Sequence, residues 1–170
     1  MVEVELLHER QPPPAPSRRP RRTSVRLLKT LTRSTDLPID ADSAWALVKR
    51  GDTFRFVTWP LLGVQGDLPE TLDEGETIEL RLKLLNRIPA NRHTITLVKI
   101  DDAARTAHTN ERGGVLKTWN HTITVEPLTP TTCRYTDSIE IDADRLTPAA
   151  YAIANAFFVH RQRRWHKLVG

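Results

Sequence analysis

The chain has 170 residues, of which 39% are hydrophobic and 27% are charged, so it is long and apolar enough for one globular domain. Its formal net charge of +4 is carried mainly by two basic segments, residues 1–22 and 160–167, and not by a uniformly cationic surface. No run approaches the ~18 apolar residues of a membrane-spanning helix. The N-terminus also lacks the apolar stretch of a secretory signal. We therefore expect a cytoplasmic protein without a transmembrane segment.

Cysteine and histidine usage argues against a metal site. Cys133 is the only cysteine, which excludes an internal disulfide and a cysteine-based zinc site. Its place in a predicted strand is typical of a small buried residue. The six histidines contain no pair at zinc-site spacing, and no glycine-rich phosphate loop is present. The sequence thus predicts neither a metal nor a cofactor.

Residues 1–22 are rich in proline and arginine. Proline lacks a backbone donor and closely spaced arginines repel one another, so this segment is predicted to be a disordered tail. It is either a solvated extension or a basic arm that contacts phosphates. The globular domain is predicted at residues 23–170.

The first half of the domain is predicted to contain one strand and two short helical elements. Residues 25–32 read as a strand, and the segment that ends at Pro38 stops it. A helix follows, capped by Asp40 or Asp42 and ended by Gly51. A second short element spans residues 52–58.

The apolar segment Trp59–Val64 is predicted to be a loop at the sheet edge, because it contains Pro60 and Gly63. After it, successive strands are joined by short turns, which predicts a meander of hairpins. Alternation is cleanest in the first of these strands, where every second residue is Ile or Leu. The predicted strands are 77–85, 91–100, 105–111, 119–125 and 133–141.

The last predicted element is a long helix that Thr147 caps, with Pro148 in its first turn. Its C-terminal basic residues complement the helix dipole. We expect its apolar face to pack on the concave side of the meander, because no other predicted surface is large enough. The residues assigned to that face are Ile153, Ala156, Phe157 and Leu168.

This order of elements is that of the helix-grip fold. Together with Glu111-Arg112-Gly113-Gly114, Trp119-Asn120-His121, the Asp137 strand and the segment His160–Trp165, it makes residues 24–169 resemble the START-like (SRPBCC) superfamily. That superfamily includes polyketide cyclase/dehydrase-like and coenzyme-Q-binding-like proteins, and the chain looks like an actinobacterial-type branch of it. The resemblance implies an α+β helix-grip (START/Bet v 1-like) fold. In that fold a curved antiparallel sheet of six or seven strands wraps around a long C-terminal helix, with two short helices after the first strand.

The last hairpin is predicted to bring a histidine and an aspartate together. If Pro127 pairs with Thr131, His121 lies opposite Asp137 on the inner face, with Cβ atoms about 5 Å apart. That separation allows a carboxylate–imidazole hydrogen bond. The other facing pairs in this register are Val125–Cys133, Ile123–Tyr135 and Trp119–Ile139.

Three interpretations of the pair remain open. Asp137 satisfies the hydrogen-bonding needs of His121 in the core, or the pair contacts a ligand carbonyl or phenol, or His121 oriented by Asp137 catalyses proton transfer. A His–Asp pair without a nucleophile or metal is not specific for one reaction.

The resemblance implies that a small hydrophobic molecule, such as a polyketide-like aromatic, a lipid or an isoprenoid, binds between sheet and helix. Burying about 300 Å² of its apolar surface contributes on the order of 7 kcal/mol. We expect Trp59–Val64 to form a lid, and His121 and Asp137 to be the polar groups of the site. The residues predicted to contact the ligand are Leu80, Leu82, Glu111, Trp119, Ile123, Tyr135, Ile139, Ile153, Phe157 and His160.

Two other functions compete with ligand binding. One is a cyclase- or dehydratase-type enzyme that uses His121 and Asp137 as an acid–base pair. The other is nucleic-acid binding through the tail and the basic C-terminal helix. The lack of aromatic residues interleaved on an exposed strand counts against the second. Arg161 and Arg164 are expected instead to pair with strand carboxylates or to cover apolar surface.

Overall fold

A computed structural model describes residues 28–170, apart from the side chains of residues 89–91. The predicted tail at 1–22 and the first residues of the predicted first strand lie outside this range. The strands are β1 Lys29–Leu37, β2 Leu62–Gln65, β3 Thr77–Leu84, β4 Ile88–Asp101, β5 Thr106–Gly113, β6 Thr118–Thr129 and β7 Thr132–Asp142. The α-helices are α1 Ala41–Val48, α2 Gly51–Thr58 and α3 Thr147–Val169.

All seven strands form one antiparallel sheet in the order β1-β7-β6-β5-β4-β3-β2. The sheet curls into a half-barrel, and α3 lies against it. The helix-grip fold predicted from the order of elements is confirmed.

The first helix begins where the sequence predicted it. The Asp40 side chain accepts a hydrogen bond from the Ser43 backbone N–H at 2.9 Å, which satisfies one of the free donors of the first turn of α1. The face formed by Ala41, Ala44, Trp45 and Val48 is buried. This face packs in the same core cluster as Tyr135 and Trp165, so α1 and α3 share one core.

Two strand predictions need correction. β1 continues to Leu37, which is 1% exposed and pairs with Cys133, so burial extends the strand up to Pro38. The predicted loop Trp59–Val64 contains an edge strand, because β2 pairs with the outer side of β3. At Gly63, a Cβ atom would lie 2.3 Å from Asn86 Oδ1, so only glycine fits this close approach.

The predicted register of the last hairpin is wrong by two residues. β6 and β7 turn more tightly, with Thr129 opposite Thr132, and a bulge follows at Leu128. His121 therefore lies opposite Ile139, and Asp137 lies opposite Ile123. A shift of two residues keeps every side chain on its face of the sheet, so His121 and Asp137 both still point inward.

The predicted inner face of α3 is correct only in part, because Phe157 and Leu168 pack against buried clusters whereas Ala156 is exposed. Ile153 is 70% exposed, and the buried residues of the helix are Thr147, Ala154, Phe158, Arg161 and Trp165. From Ala154 onward these residues recur three or four positions apart, which is the spacing of a single helix face. Arg161 is a charged residue on this face, so the hydrophobic pattern of the sequence does not identify the face as buried.

This orientation of α3 predicts that two alanine substitutions lower the free energy of unfolding by unequal amounts. Phe158 is 1% exposed, so Phe158→Ala should lower the free energy of unfolding by about 3–5 kcal/mol. Ile153→Ala is the control and should change it by no more than ~0.5 kcal/mol. Urea unfolding followed by circular dichroism measures both. Equal losses would mean that the helix is rotated from the position described.

Candidate functional site

An interior cavity of about 50 Å³ lies between the concave face of the sheet and helices α2 and α3. One side is apolar, and the other carries the polar side chains Thr109, Glu111, His121 and Arg161. The apolar wall includes Phe54, Val57, Leu68, Leu72, Ile78, Ile95, Leu97 and Ile123.

The size of this cavity corrects one expectation. A volume of about 50 Å³ has room for roughly three or four water molecules, whereas pockets for drug-sized ligands measure ~300–1,000 Å³. A molecule that presents 300 Å² of apolar surface therefore enters only if part of the wall moves. Leu68 and Leu72 are the wall residues that belong to neither a helix nor a strand.

His121 is the centre of a buried polar network. It is 5% exposed, and its Nε2 lies 2.9 Å from Asp137 Oδ1. Its Nδ1 lies 3.5 Å from Glu111 Oε1. Both ring nitrogens therefore face a carboxylate, one from β5 and one from β7.

Glu111 connects His121 to a second histidine. Glu111 Oε2 lies 2.7 Å from His93 Nε2, and the Thr109 hydroxyl donates to Glu111 Oε1 at 3.1 Å. β4 and β5 place His93 beside Glu111 although 18 residues separate them in the chain. The carboxylate is thereby held in one orientation from two strands.

Asp137 is 0% exposed and receives a second hydrogen bond, from the Tyr135 hydroxyl at 2.7 Å to Oδ1. Arg161 reaches it from α3, with Nε 3.8 Å from the same oxygen. The Arg161 guanidinium also lies over the Phe158 ring, 5.7 Å from its centroid. The packing of the apolar stem and the contact with the Phe158 ring offset part of the desolvation cost of the Arg161 guanidinium, and Asp137 supplies the countercharge.

These contacts determine the charges of the network. Burial alone would raise the pKa of Glu111, but the hydrogen bonds with His121 and His93 lower it to about 2. Burial opposes protonation of His121, yet the hydrogen bonds to Asp137 and Glu111 raise its pKa above the ordinary value. Burial likewise opposes ionisation of Asp137, and Arg161 and His121 still lower its pKa. Two carboxylates and two cations therefore face one another, and their charges cancel.

The ionisation of His121 limits its chemistry. An imidazolium with a carboxylate at each nitrogen donates both of its protons and has no free lone pair. In this arrangement it stabilises negative charge or donates a proton, and it does not accept one.

Two donors beside the cavity lack an acceptor. Within the described range, Arg161 Nε and Trp165 Nε1 are buried without a hydrogen-bond partner, and both residues line the cavity. They lie four residues apart on α3, so their side chains are neighbours on one helix face. Buried donors without an acceptor are costly, and a protein retains them where water or a ligand supplies the oxygen.

The structure brings together some of the residues predicted to contact a ligand. Glu111, His121 and Ile123 line the cavity, and Tyr135 and Asp137 lie buried behind His121. Leu80 and Leu82 belong to the neighbouring cluster beneath β3 and β4, which includes the cavity residues Ile78, Ile95 and Leu97.

Other predicted residues lie elsewhere. Trp119, Ile139 and Phe157 pack around Phe158 in a separate cluster. His160 Nε2 donates to the Trp59 carbonyl at 2.9 Å, outside the cavity. Ile153 is 70% exposed and does not line the cavity. Residues 59–64 do not line it either, whereas Leu68 and Leu72 do, so the lid at Trp59–Val64 stays a prediction.

Sequence reasoning missed His93, Thr109, Arg161 and Trp165 as site residues. The period of α3 contains the signal for the last two, since Ala154, Phe158 and Trp165 share a face on which Arg161 is the one charged residue. Arg164 is turned to the surface of α2, with its guanidinium 3.9 Å from the Phe56 ring centroid. Arg161 and Arg164 are therefore not part of the exposed basic surface of α3, on which the nucleic-acid interpretation depended.

Residues 28–170 contain no group of three or more His, Cys, Asp or Glu side chains placed to hold a metal ion. Over the same range, no helix has the length and apolar character needed to cross a membrane.

Solved structures with similar folds support the assignment of class. The Zhui aromatase/cyclase from Streptomyces sp. R1128 is 10% identical, with a TM-score of 0.65 over 84% of this chain and 93% of that chain. Norcoclaurine synthase from Thalictrum flavum is 14% identical, with a TM-score of 0.64 over 85% and 87%. A START superfamily protein from Mycobacterium smegmatis is 10% identical, with a TM-score of 0.63 over 82% and 96%. The fold is that of the START-like superfamily.

Residues 57–168 match the family described as a domain of unknown function, DUF8410, and the chain belongs to this family. The match begins in α2 and includes the cavity-lining residues of β3 to β6 and α3. No curated protein matches the chain in sequence.

The buried network predicts a large cost for neutralising Asp137. Asp137→Asn leaves two cations with one carboxylate in the core, so the free energy of unfolding should fall by about 3–5 kcal/mol. Asp36→Asn is the matched control, because Asp36 pairs with Arg134 on the surface and its loss should have a much smaller effect. Denaturant unfolding at neutral pH measures both, and similar small losses would show that the network is not a buried ionic one.

His121 should stabilise the fold in a pH-dependent way. Its folded-state pKa is raised, so its contribution is fully present below its unfolded-state value of ~6.5 and is lost as pH rises through the higher folded-state value. The difference in unfolding free energy between wild type and His121→Gln should therefore be largest near pH 6 and shrink towards pH 9. Unfolding curves across this range measure it. A difference that grows with pH would mean that His121 is neutral in the fold.

Proposed function

We propose that the chain binds a small, mostly hydrophobic molecule carrying one neutral oxygen acceptor, such as a carbonyl, in the cavity between the sheet and α3. The observation that carries this proposal is the pair of buried donors, Arg161 Nε and Trp165 Nε1, which make no close hydrogen bond and belong to residues that line the cavity. An apolar body would contact Ile78, Ile95 and Ile123, and the oxygen would accept from the two donors.

The charge balance of the network supports a neutral acceptor. Glu111 and Asp137 already balance His121 and Arg161, so an added carboxylate would bring an uncompensated charge into a buried site. A carbonyl oxygen accepts the same hydrogen bonds without that cost. Hydrogen bonds to a charged group contribute ~1.5–3 kcal/mol, which is enough to distinguish a ketone from a hydrocarbon of equal shape.

Entry of such a molecule requires the wall to move at the 66–76 segment. Backbone hydrogen bonds tie this segment to the body at a few points, among them Leu72 N–H to Lys49 O at 2.7 Å and Gly75 N–H to Leu97 O at 2.8 Å. Leu68 and Leu72 are partly exposed, unlike the strand residues opposite them. Displacing these two side chains would enlarge the cavity without disturbing the sheet.

The similar structures include an aromatase/cyclase and norcoclaurine synthase, which was solved with dopamine and hydroxybenzaldehyde. The cyclase- or dehydratase-type alternative needs a base, and the position of His121 between two carboxylates weighs against its filling that role. Binding is therefore the function that the geometry supports best.

A pair of isosteric probes tests the proposal. Acetophenone and α-methylstyrene differ only in the replacement of a carbonyl oxygen by a methylene group, so the ketone should bind about tenfold or more tightly. Titration followed by ¹⁵N NMR should shift the Trp165 indole N–H and the Arg161 Nε–H with the ketone but not with the alkene. Trp165→Phe identifies the indole signal among those of the four tryptophans.

Variants and controls make the result specific. Arg161→Met should abolish the preference for the ketone, whereas Arg163→Met, at an exposed position on the same helix, should leave it intact. If both probes bind equally, the two donors do not bind a ligand oxygen, and the proposal that the ligand carries an oxygen acceptor is wrong. If neither probe perturbs any cavity residue, ligand binding in this cavity is refuted.

A further inference from the structure

Exposed apolar side chains lie at connections on one end of the sheet, where the β3–β4 hairpin extends past Gly113, the last β5 residue paired with β4. In an antiparallel meander the connections alternate between the two ends, so the β3–β4 turn, the β5–β6 turn and the β7–α3 connection share one end. Five large apolar residues lie exposed at these three connections: Leu84 at 46%, Leu85 at 53%, Ile88 at 57%, Val115 at 62% and Leu146 at 53%. We call this surface the apolar end.

The β3–β4 turn presents its apolar residues on a rigid support. Leu84 pairs with Ile88 across the turn, and the Leu85 N–H donates to the Leu61 carbonyl of the neighbouring segment at 2.7 Å. Leu85 has a φ of 50°, in the left-handed region that a leucine rarely adopts. A strained backbone that holds a large apolar residue out to solvent is a feature typical of a contact site.

Basic residues surround the apolar end. Residues 80–100, which form most of the β3–β4 hairpin, contain no Asp or Glu. Among the described residues, Arg81, Lys83, Arg87 and Arg92 of this hairpin form no ion pair. At the other two connections, Asp144 is paired with Lys117 at 2.6 Å. Further basic side chains there are Arg112 and Arg145.

Exposed leucine and isoleucine side chains ringed by unpaired Lys and Arg fit the interface of an anionic bilayer. The apolar side chains enter the acyl boundary, and the basic groups remain among negatively charged headgroups. Nucleic acid would use the charges but not the aliphatic side chains, and stacking on it needs exposed aromatic residues instead. We propose that the apolar end docks this protein on an anionic lipid surface.

Co-sedimentation of the full chain with vesicles tests the proposal. Vesicles of phosphatidylcholine with 30% phosphatidylserine (a chosen composition) should bind the protein, and binding should weaken at least tenfold on raising the salt from about 0.1 to 0.5 M. Pure phosphatidylcholine vesicles should bind it at least tenfold more weakly than the mixed ones. Absence of binding to the anionic vesicles at low salt would overturn the proposal.

Two multiple variants locate the contact. Leu85→Ser/Ile88→Ser/Val115→Ser should reduce vesicle binding at least tenfold while leaving the circular dichroism spectrum and the melting temperature nearly unchanged, because all three side chains are exposed. Val98→Ser/Leu128→Ser removes exposed apolar residues away from this end and is the matched control, with binding expected to be unchanged. Equal losses in both variants would overturn the proposal.

The same variants distinguish a lipid surface from a protein partner. If wild type sediments as a dimer in analytical ultracentrifugation and the triple variant sediments as a monomer, the apolar end is an interface between copies of the chain and the membrane proposal is wrong. An unchanged sedimentation coefficient together with lost vesicle binding is the result we expect.

Discussion

The interior of this protein depends on an imidazole held between two carboxylates, with Asp137 at 2.9 Å and Glu111 at 3.5 Å from its ring nitrogens. Moving an ion into the core costs several kcal/mol, and here four ionisable side chains are buried together so that two carboxylates face two basic groups. Glu111, His121, Asp137 and Arg161 come from β5, β6, β7 and α3. One electrostatic arrangement therefore ties the centre of the sheet to the helix that lies across it.

Stability alone does not account for such a network. A buried ion cluster replaced by well-packed apolar side chains of similar volume is often as stable or more stable. Here the cluster lies at the edge of a cavity, and it leaves two donors on α3 without an acceptor. A core selected only for packing would have neither the cavity nor the unpartnered donors. Both features follow if the polar side of the cavity exists to meet a ligand.

The fold could be predicted from the sequence because the relevant patterns are local. Period-two alternation identifies β3, β6 and β7, and the order of elements then permits few architectures. The inward direction of His121 and Asp137 was also predictable, because a two-residue error in register preserves the face of every side chain. The partner of each residue was not, since it depended on the tight turn and the bulge at Leu128.

Other parts of the site were beyond local patterns. The phase of α3 was misjudged because Arg161, a charged residue, occupies a position on the buried face, and its cost is offset by partners on other strands. His93 meets Glu111 only through the β4–β5 register, which a bulge between Leu97 and Lys99 shifts. Leu68 and Leu72 reach the cavity from a segment with no periodic pattern. Such contacts depend on tertiary packing, which the local patterns of a single sequence do not predict.

The cavity and the apolar end are linked through one strand. Ile78 lines the cavity and Leu84 lies at the apolar end, six positions further along β3, about 20 Å at the rise of an extended chain. Leu80 and Leu82 between them point to the same inner side as Ile78 and pack in the cluster next to the cavity. β3 therefore carries apolar side chains at alternate positions from the cavity wall to the exposed end, although a bulge interrupts its pairing with β4 between Arg81 and Lys83. Because these side chains belong to the same strand, a displacement of β3 at its exposed end would be felt by the packing next to the cavity.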